Sequence, residues 1–358
     1  MTPSDVLKFS YYLTVASTPD ADRACDTFMT RTVSCLRPFP TARGTLRRLS
    51  SASPAKWRPL PALPCSSLLP FQEQAFNPES PITFPSGTFC SLPAITNWFI
   101  PLAATDAAAN TSTLNFDYLS DHDDPILPTE LTSLSPDGNP TGFLRGEQPL
   151  SNFLAWTKLR LQLNTTPPNL KARTAETSPS LYLAQASLSL LPATLAADVP
   201  TPELVLNAGR GDIYDSSLWI GVPPTVTPLH CDPNPNLLVQ LAGEKIVRLM
   251  DPQSGRRVVE GLEEARAKEK KMDRRGNIRG EEMMHGHQRM HLEKLVWGDE
   301  EAGEFDREIG AATAKGFEVK LGKGDGVFIP KGWWHAVKGV GQGGVSASVC
   351  TPSVFVIW

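Results

Sequence analysis

In the run Thr227-Pro-Leu-His-Cys-Asp232 an imidazole and a carboxylate stand two positions apart, and a distant histidine, His335, follows Gly324-Asp-Gly-Val-Phe-Ile-Pro-Lys-Gly-Trp-Trp334. Residues two apart in a strand point to one face, so His230 and Asp232 can look into the same interior. The stretch from Gly324 reads as strand, tight turn, strand, and alternation puts Trp333, His335 and Val337 on a shared face. Two imidazoles and one carboxylate form the facial set that holds non-haem Fe(II) and leaves coordination positions open. Those positions suit a 2-oxo acid chelating through two atoms, with dioxygen beside it. An HxD pair alone occurs by chance in many proteins, and a histidine after two tryptophans is more often a packed core residue. The three carry weight only together.

A lysine supplies a second, independent clue. After the turn Ala242-Gly-Glu244, the run Lys245-Ile-Val-Arg-Leu-Met250 alternates and groups Lys245 with Val247 and Leu249, residues one would bury. An ammonium aimed at an interior requires an anionic partner, because burying it unpaired is costly. The distal carboxylate of 2-oxoglutarate would serve. The plainer alternative leaves Lys245 in water on a surface groove. Rival metal ligands occur at His285, His287 and His291, beside Met283, Met284 and Met290. They lie in a charged stretch with no strand pattern to fix them, and a solvated loop is the simpler reading.

The elements that must position these groups read mostly as short strands. The chain has 33 prolines, crowded into its N-terminal two thirds, which argues against long helices there. Pro81–Pro85 and Leu114–Leu119 have the alternation of strands. Pro149–Leu159 reads as a helix with Phe153, Leu154 and Trp156 on one side. From Tyr182 onward, apolar runs separated by turn residues predict an antiparallel barrel or sandwich. Residues 255–315 break that pattern with dense charge of both signs. Glu264 and Lys268 stand four apart, as in a solvated helix, before Gly276 and Gly280 interrupt. The stretch reads as a partly disordered insertion between barrel strands, and as the candidate lid or partner-binding surface.

Composition bounds the rest. With 41% hydrophobic residues and a net charge of −4, the chain can bury a real core and has no overall electrostatic bias toward nucleic acid. No apolar run is long enough to span a bilayer, so no membrane partner is expected. The six cysteines show no CxxC pair, which argues against a zinc ribbon. Residues 1–75 read as a disordered arm. From Thr27 to Gln72, Arg31, Arg37, Arg43, Arg47, Arg48, Lys56 and Arg58 occur without one acid, the composition of a mitochondrial transit peptide. Met29 offers an internal start before that stretch, whereas Asp5, Asp20, Asp22 and Asp26 weaken the address if translation begins at Met1. Cytoplasmic or nuclear residence is the alternative. The globular domain is expected over 76–358.

Taken together, Tyr182-Leu-Ala-Gln185, Leu218-Trp-Ile-Gly221, Thr227 to Lys245 and Gly324 to Val337 resemble the JmjC (cupin-like) hydroxylases, among them the asparaginyl hydroxylase of hypoxia signalling and the small JmjC-only hydroxylases. The resemblance implies a mainly β fold: a double-stranded β-helix (jelly-roll) core with flanking helices. It implies Fe(II) on His230, Asp232 and His335, with 2-oxoglutarate and O2 as co-substrates. The family's lysine falls on Lys245, its hydroxyl residue on Thr227, its asparagine on Asn236 and its tyrosine on Tyr182, all as co-substrate contacts. The gap from Asp232 to His335 is longer than is usual in the family, and the charged insertion accounts for it. The chain also stops near the last expected strand, which leaves its oligomeric state open. The activity implied is hydroxylation of a protein side chain. Histone lysine demethylation and RNA hydroxylation are rivals on the same barrel, and a non-catalytic cupin binding module is a rival of another class. No zinc finger or chromatin-reading pattern accompanies the domain, and no basic groove is evident for RNA.

Overall fold

The computed structural model describes residues 57–102, 111–134, 140–165, 179–209, 213, 215–270, 286–298 and 316–352. Its strands in chain order are β1 (Arg58–Pro59), β2 (Ile82–Thr83), β3 (Phe99–Pro101), β4 (Ser112–Leu114), β5 (Ile126–Leu134), β6 (Pro140–Pro149), β7 (Ser180–Ser187) and β8 (Ser217–Gly221). There follow β9 (Thr225–Cys231), β10 (Asn236–Ala242), β11 (Glu244–Met250), β12 (Phe317–Leu321), β13 (Gly326–Ile329), β14 (Trp334–Val340) and β15 (Ser346–Pro352). One sheet runs β1-β12-β11-β14-β9 and a second β2-β13-β10-β15-β8-β7-β5-β6. From β8 to β15 the chain crosses between the two at almost every step, and most pairings are antiparallel. This is the jelly-roll expected.

Alternation decides which face each strand gives to which layer. In β10 every residue is buried: Leu237, Val239 and Leu241 pack outward against helices, while Leu238 packs inward with Val247, Leu249, Val327 and Val337. A strand covered on both faces reads as a near-continuous apolar run, and Leu237-Leu-Val-Gln-Leu-Ala242, broken by Gln240 alone, is one. The outer layer includes the helix Leu150–Thr165, whose Phe153 and Leu154 are buried where the sequence placed its apolar side. The expected strand at 114–119 is corrected. Only Leu114 continues β4; a short helix, Phe116–Ser120, follows, because the Asn115 side chain accepts from the Tyr118 N–H and caps its first turn.

Two further expectations change. The folded unit begins before residue 76: β1 lies parallel to β12, and Trp57, Leu60, Leu63 and Phe71 are buried. Acid-poor composition extends across that boundary, whereas burial follows the apolar residues spaced through it. Residues 1–56, with most of the basic stretch, lie outside the described residues. The charged segment falls between β11 and β12 and contains two helices, Pro252–Lys270 and Gly286–Trp297, rather than only a loop. Val258, Leu292, Leu295 and Val296 bury against Leu229, Met250 and Ala336 on the outer face of the five-stranded sheet. Arg248 fastens them. It donates to the Val296 carbonyl, pairs with Glu318 at 2.6 Å, and lies between the Trp57 and Trp297 rings at 5.0 and 4.6 Å.

Candidate metal and co-substrate site

β9 and β14 are antiparallel neighbours in which His230 and His335 are paired residues, so the two imidazoles start from adjacent backbone positions. Their ring centroids are 4.2 Å apart. Asp232 lies just past the end of β9. Its backbone carbonyl accepts the Gly332 N–H at 3.1 Å, which ties it to the turn that delivers β14. Gly332 has φ +74°, a conformation that a side chain would strain. Ligand atoms of His230, Asp232 and His335 all lie within 4.8 Å of one another. The two Nε2 atoms stand 3.8 and 3.7 Å from the Asp232 carboxylate oxygens.

The imidazole tautomers follow from their other contacts. Nδ1 of His230 meets the Pro228 carbonyl at 2.8 Å, and Nδ1 of His335 meets the Trp333 carbonyl at 3.2 Å. A carbonyl can only accept, so Nδ1 of each ring carries a hydrogen, which leaves Nε2, on the carboxylate side, as the atom that can take a metal. Burial, reinforced by His230, holds the His335 pKa down at about 4, so this ring is neutral near pH 7. Two imidazole nitrogens beside a carboxylate are a donor set that fits a divalent transition metal.

A cavity of about 510 Å³ opens from these residues between the sheets, and Tyr182, Thr227, Asn236 and Lys245 line it with them. All seven residues singled out from the sequence therefore meet at one place. Lys245 is 1% exposed. Its Nζ donates to Ser348 Oγ at 2.5 Å, the Trp219 carbonyl at 3.3 Å and Tyr182 Oη at 3.4 Å. No carboxylate among the described residues pairs with it. Burial pulls its pKa down to about 7, a penalty on the order of 5 kcal/mol on the charged form. Two residues of that lining carry buried polar atoms without partners among the described residues, Asn236 Oδ1 and Trp219 Nε1. A desolvated cation and two unmatched polar groups, with neutral Ser348 and Tyr182 beside them, fit a small carboxylate ligand.

Burial also raises the Tyr182 phenol, which is held by Thr225 and Thr227 as well as by Lys245. Gly221 makes room for that ring, since a Cβ there would stand 2.6 Å from Tyr182 Cδ2. Burial pushes the Cys350 thiol up to about 12. Sequence reasoning assigned no role to Trp219, Ser348, Cys350, Glu130, Arg145 or Gln185, which also line the cavity. Ser348 and Cys350 share the parity of one strand face, a signal that the sequence contained. Of the rival cluster, His285 lies outside the described residues. His287 and His291 fall on the Gly286–Trp297 helix, where their side chains are not described.

The cupin-like domain family matches residues 93–351. Among curated proteins, the chain is 38% identical over 81 residues to "Lysine-specific demethylase JMJ30" of Arabidopsis thaliana, covering 22% of this chain and 19% of that protein. It is 26% identical over 161 residues to "Jumonji C domain-containing protein 5" of Drosophila melanogaster, covering 44% and 33%. It is 39% identical over 74 residues to "Lysine-specific demethylase 8" of Danio rerio, covering 20% and 18%. The matched segments thus span from under a fifth to a third of these relatives' own lengths.

Proposed function

The chain belongs to the cupin-like family of JmjC type, in general Fe(II)- and 2-oxoglutarate-dependent oxygenases, and on that premise we propose that it hydroxylates a side chain of a protein substrate. The observation that carries the co-substrate reading is Lys245, a buried cation that pairs with no carboxylate among the described residues, in the cavity that also holds two imidazoles and a carboxylate. His230, Asp232 and His335 would hold the metal. Lys245 would bind the distal carboxylate of 2-oxoglutarate, with Tyr182, Thr227 and Asn236 around it. When bound, iron and 2-oxoglutarate supply the oxidising power for inserting one oxygen of O2 into a C–H bond, with succinate and CO2 as coproducts.

The protein's own part is positional. The Nδ1–carbonyl bonds fix both imidazoles, and the buried lysine orients the co-substrate from its far end. The closed floor excludes water, and the half-exposed side of the metal set admits the target. The Tyr182 ring stands 5.9 Å from Lys245 Nζ and 5.9 Å from the Trp219 ring, which engages it at the lysine end of the cavity and not in a cage for a methylated ammonium at the metal set. This favours hydroxylation over demethylation, although two of the relatives carry demethylase names.

The test incubates purified protein with Fe(II), ascorbate, 2-oxoglutarate and cell extract under oxygen-18. Label in the side chain of an extract protein is the expected result. Formaldehyde from methylated histone peptides at the rate of succinate formation would replace the proposal with demethylation, and label in tRNA would replace it with RNA hydroxylation. We also propose a mitochondrial address in the basic stretch. Residues 1–56 and 29–56 fused to a fluorescent protein would each be imaged, and diffuse signal from both would remove the address.

A further inference from the structure

The charges that line the cavity are few. Asp232 lies between two imidazoles and Lys245 lies on the floor, which leaves Glu130 and Arg145. These two face each other across β5 and β6, and Glu130 faces Tyr182 across β5 and β7. Arg145, Glu130 and Tyr182 therefore form one cross-strand row. It leads from the solvent edge to the tyrosine that touches Lys245. Exposure falls along the row: the Arg145 side chain is 58% exposed and that of Glu130 15%.

Arg145 Nε donates to Glu130 Oε1 at 3.2 Å, and the guanidinium stands 5.6 Å from the Phe143 ring. Among the described residues its two Nη groups have no acceptor. A guanidinium held through Nε presents the Nη pair as a planar fork, the geometry that a carboxylate accepts through both oxygens. A cationic target would instead meet a guanidinium at the rim, and a carboxylate that this guanidinium already engages.

We propose that Arg145, held by Glu130, is a specificity-determining residue that selects protein substrates bearing a carboxylate near the oxidised position and disfavours cationic ones. This rests on the protein-hydroxylase reading above and extends it to the charge of the target. The effect is electrostatic and lies at a solvent-exposed edge, so it weakens as salt rises.

The test uses fluorescent peptide pools that are acidic, neutral, basic or trimethyl-lysine-bearing. They are titrated by anisotropy into the protein loaded with Mn(II) and 2-oxoglutarate, then assayed with Fe(II) for added oxygen. The acidic pool should bind about tenfold more tightly than the basic pool at low salt. Arg145→Gln should remove that preference and Arg145→Glu should invert it, with thermal transitions and bound Mn(II) checking that both variants fold. Equal binding of acidic and basic pools, or a preference that Arg145→Gln does not move, overturns the proposal. Oxygen gained regardless of peptide charge overturns it too, while leaving the hydroxylase reading standing. Formaldehyde from the trimethyl-lysine pool overturns both, because that target is cationic. An Arg145-dependent acidic preference without added oxygen supports the charge selection and removes the hydroxylase reading alone.

Discussion

At one end of the cavity the His230 and Asp232 side chains keep 39% and 33% of their surface exposed; at the other Lys245 keeps 1%. Both ends are polar, yet they obey opposite solvent rules. A metal set that must admit a target and dioxygen needs an approach from outside, and its donors tolerate water. A lysine meant to distinguish a carboxylate from water gains strength when water is excluded, at the cost of its own hydration. His230, Asp232 and His335 are accordingly fixed through backbone carbonyls and a glycine turn, and the lysine through Ser348, Tyr182 and the Trp219 carbonyl.

The two ends should therefore break differently. Asp232→Ala should lower Fe(II) or Mn(II) affinity at least about 100-fold, as loss of the only carboxylate in a three-ligand set requires. Titration calorimetry with Mn(II) would show it, and unchanged stoichiometry and affinity would remove the metal assignment. Lys245→Met should do the reverse to the empty-handed protein. 2-Oxoglutarate affinity should fall about 100-fold, while the ligand-free protein gains about 1–4 kcal/mol through relief of a buried charge. Chemical denaturation that shows Lys245→Met to be less stable would mean that the cation is internally compensated.

Behind the metal strands, Leu292→Ala should cost about 2–4 kcal/mol, because a buried leucine leaves a cavity under β9 and β14. The melting transition should fall while the remaining folded protein binds Mn(II) normally. A silent substitution would make the insertion helices passengers.

Proton linkage sharpens the anion end. The folded Lys245 pKa, about 7, lies below the ordinary 10.5, so between these values the unfolded chain holds the extra proton and ligand-free stability rises with pH. A carboxylate ligand needs the ammonium form. Its affinity should therefore decline as pH rises above about 7, at up to about tenfold per unit. A flat profile from pH 6 to 9 would contradict the desolvated lysine. Smallest is Tyr182→Phe, which removes one hydroxyl contact and should weaken 2-oxoglutarate about three- to tenfold.

His230, Asp232, His335 and Lys245 were legible because strand alternation is local: two positions apart is one face wherever the strand lies. The same rule gave the burial of Val247 and Leu249 with Lys245, and the local helical period gave the helix near Pro149. It failed at Asn115, where one side-chain cap turned an apparent strand into a helix, and at Trp57, where composition suggested disorder but an apolar residue found a wall. Arg145 and Trp219 were invisible as site residues for another reason, and the parity of Ser348 with Cys350 marked a strand face without marking a site. Their importance comes from cross-strand neighbours distant in sequence, as Lys245 and Ser348 are.

The sequence by itself determined the ligand types, the strand faces that carry them and the lysine's inward parity, since all three follow from side-chain chemistry and a period of two. Only the tertiary structure decided that the two sheets bring those faces to one cavity. It also decided that the lysine meets no carboxylate among the described residues, that the insertion buries an apolar face behind β9 and β14, and that Arg145 stands at the rim. Those are matters of which distant surfaces exclude water from each other. That depends on the packing of whole sheets, which no local pattern encodes.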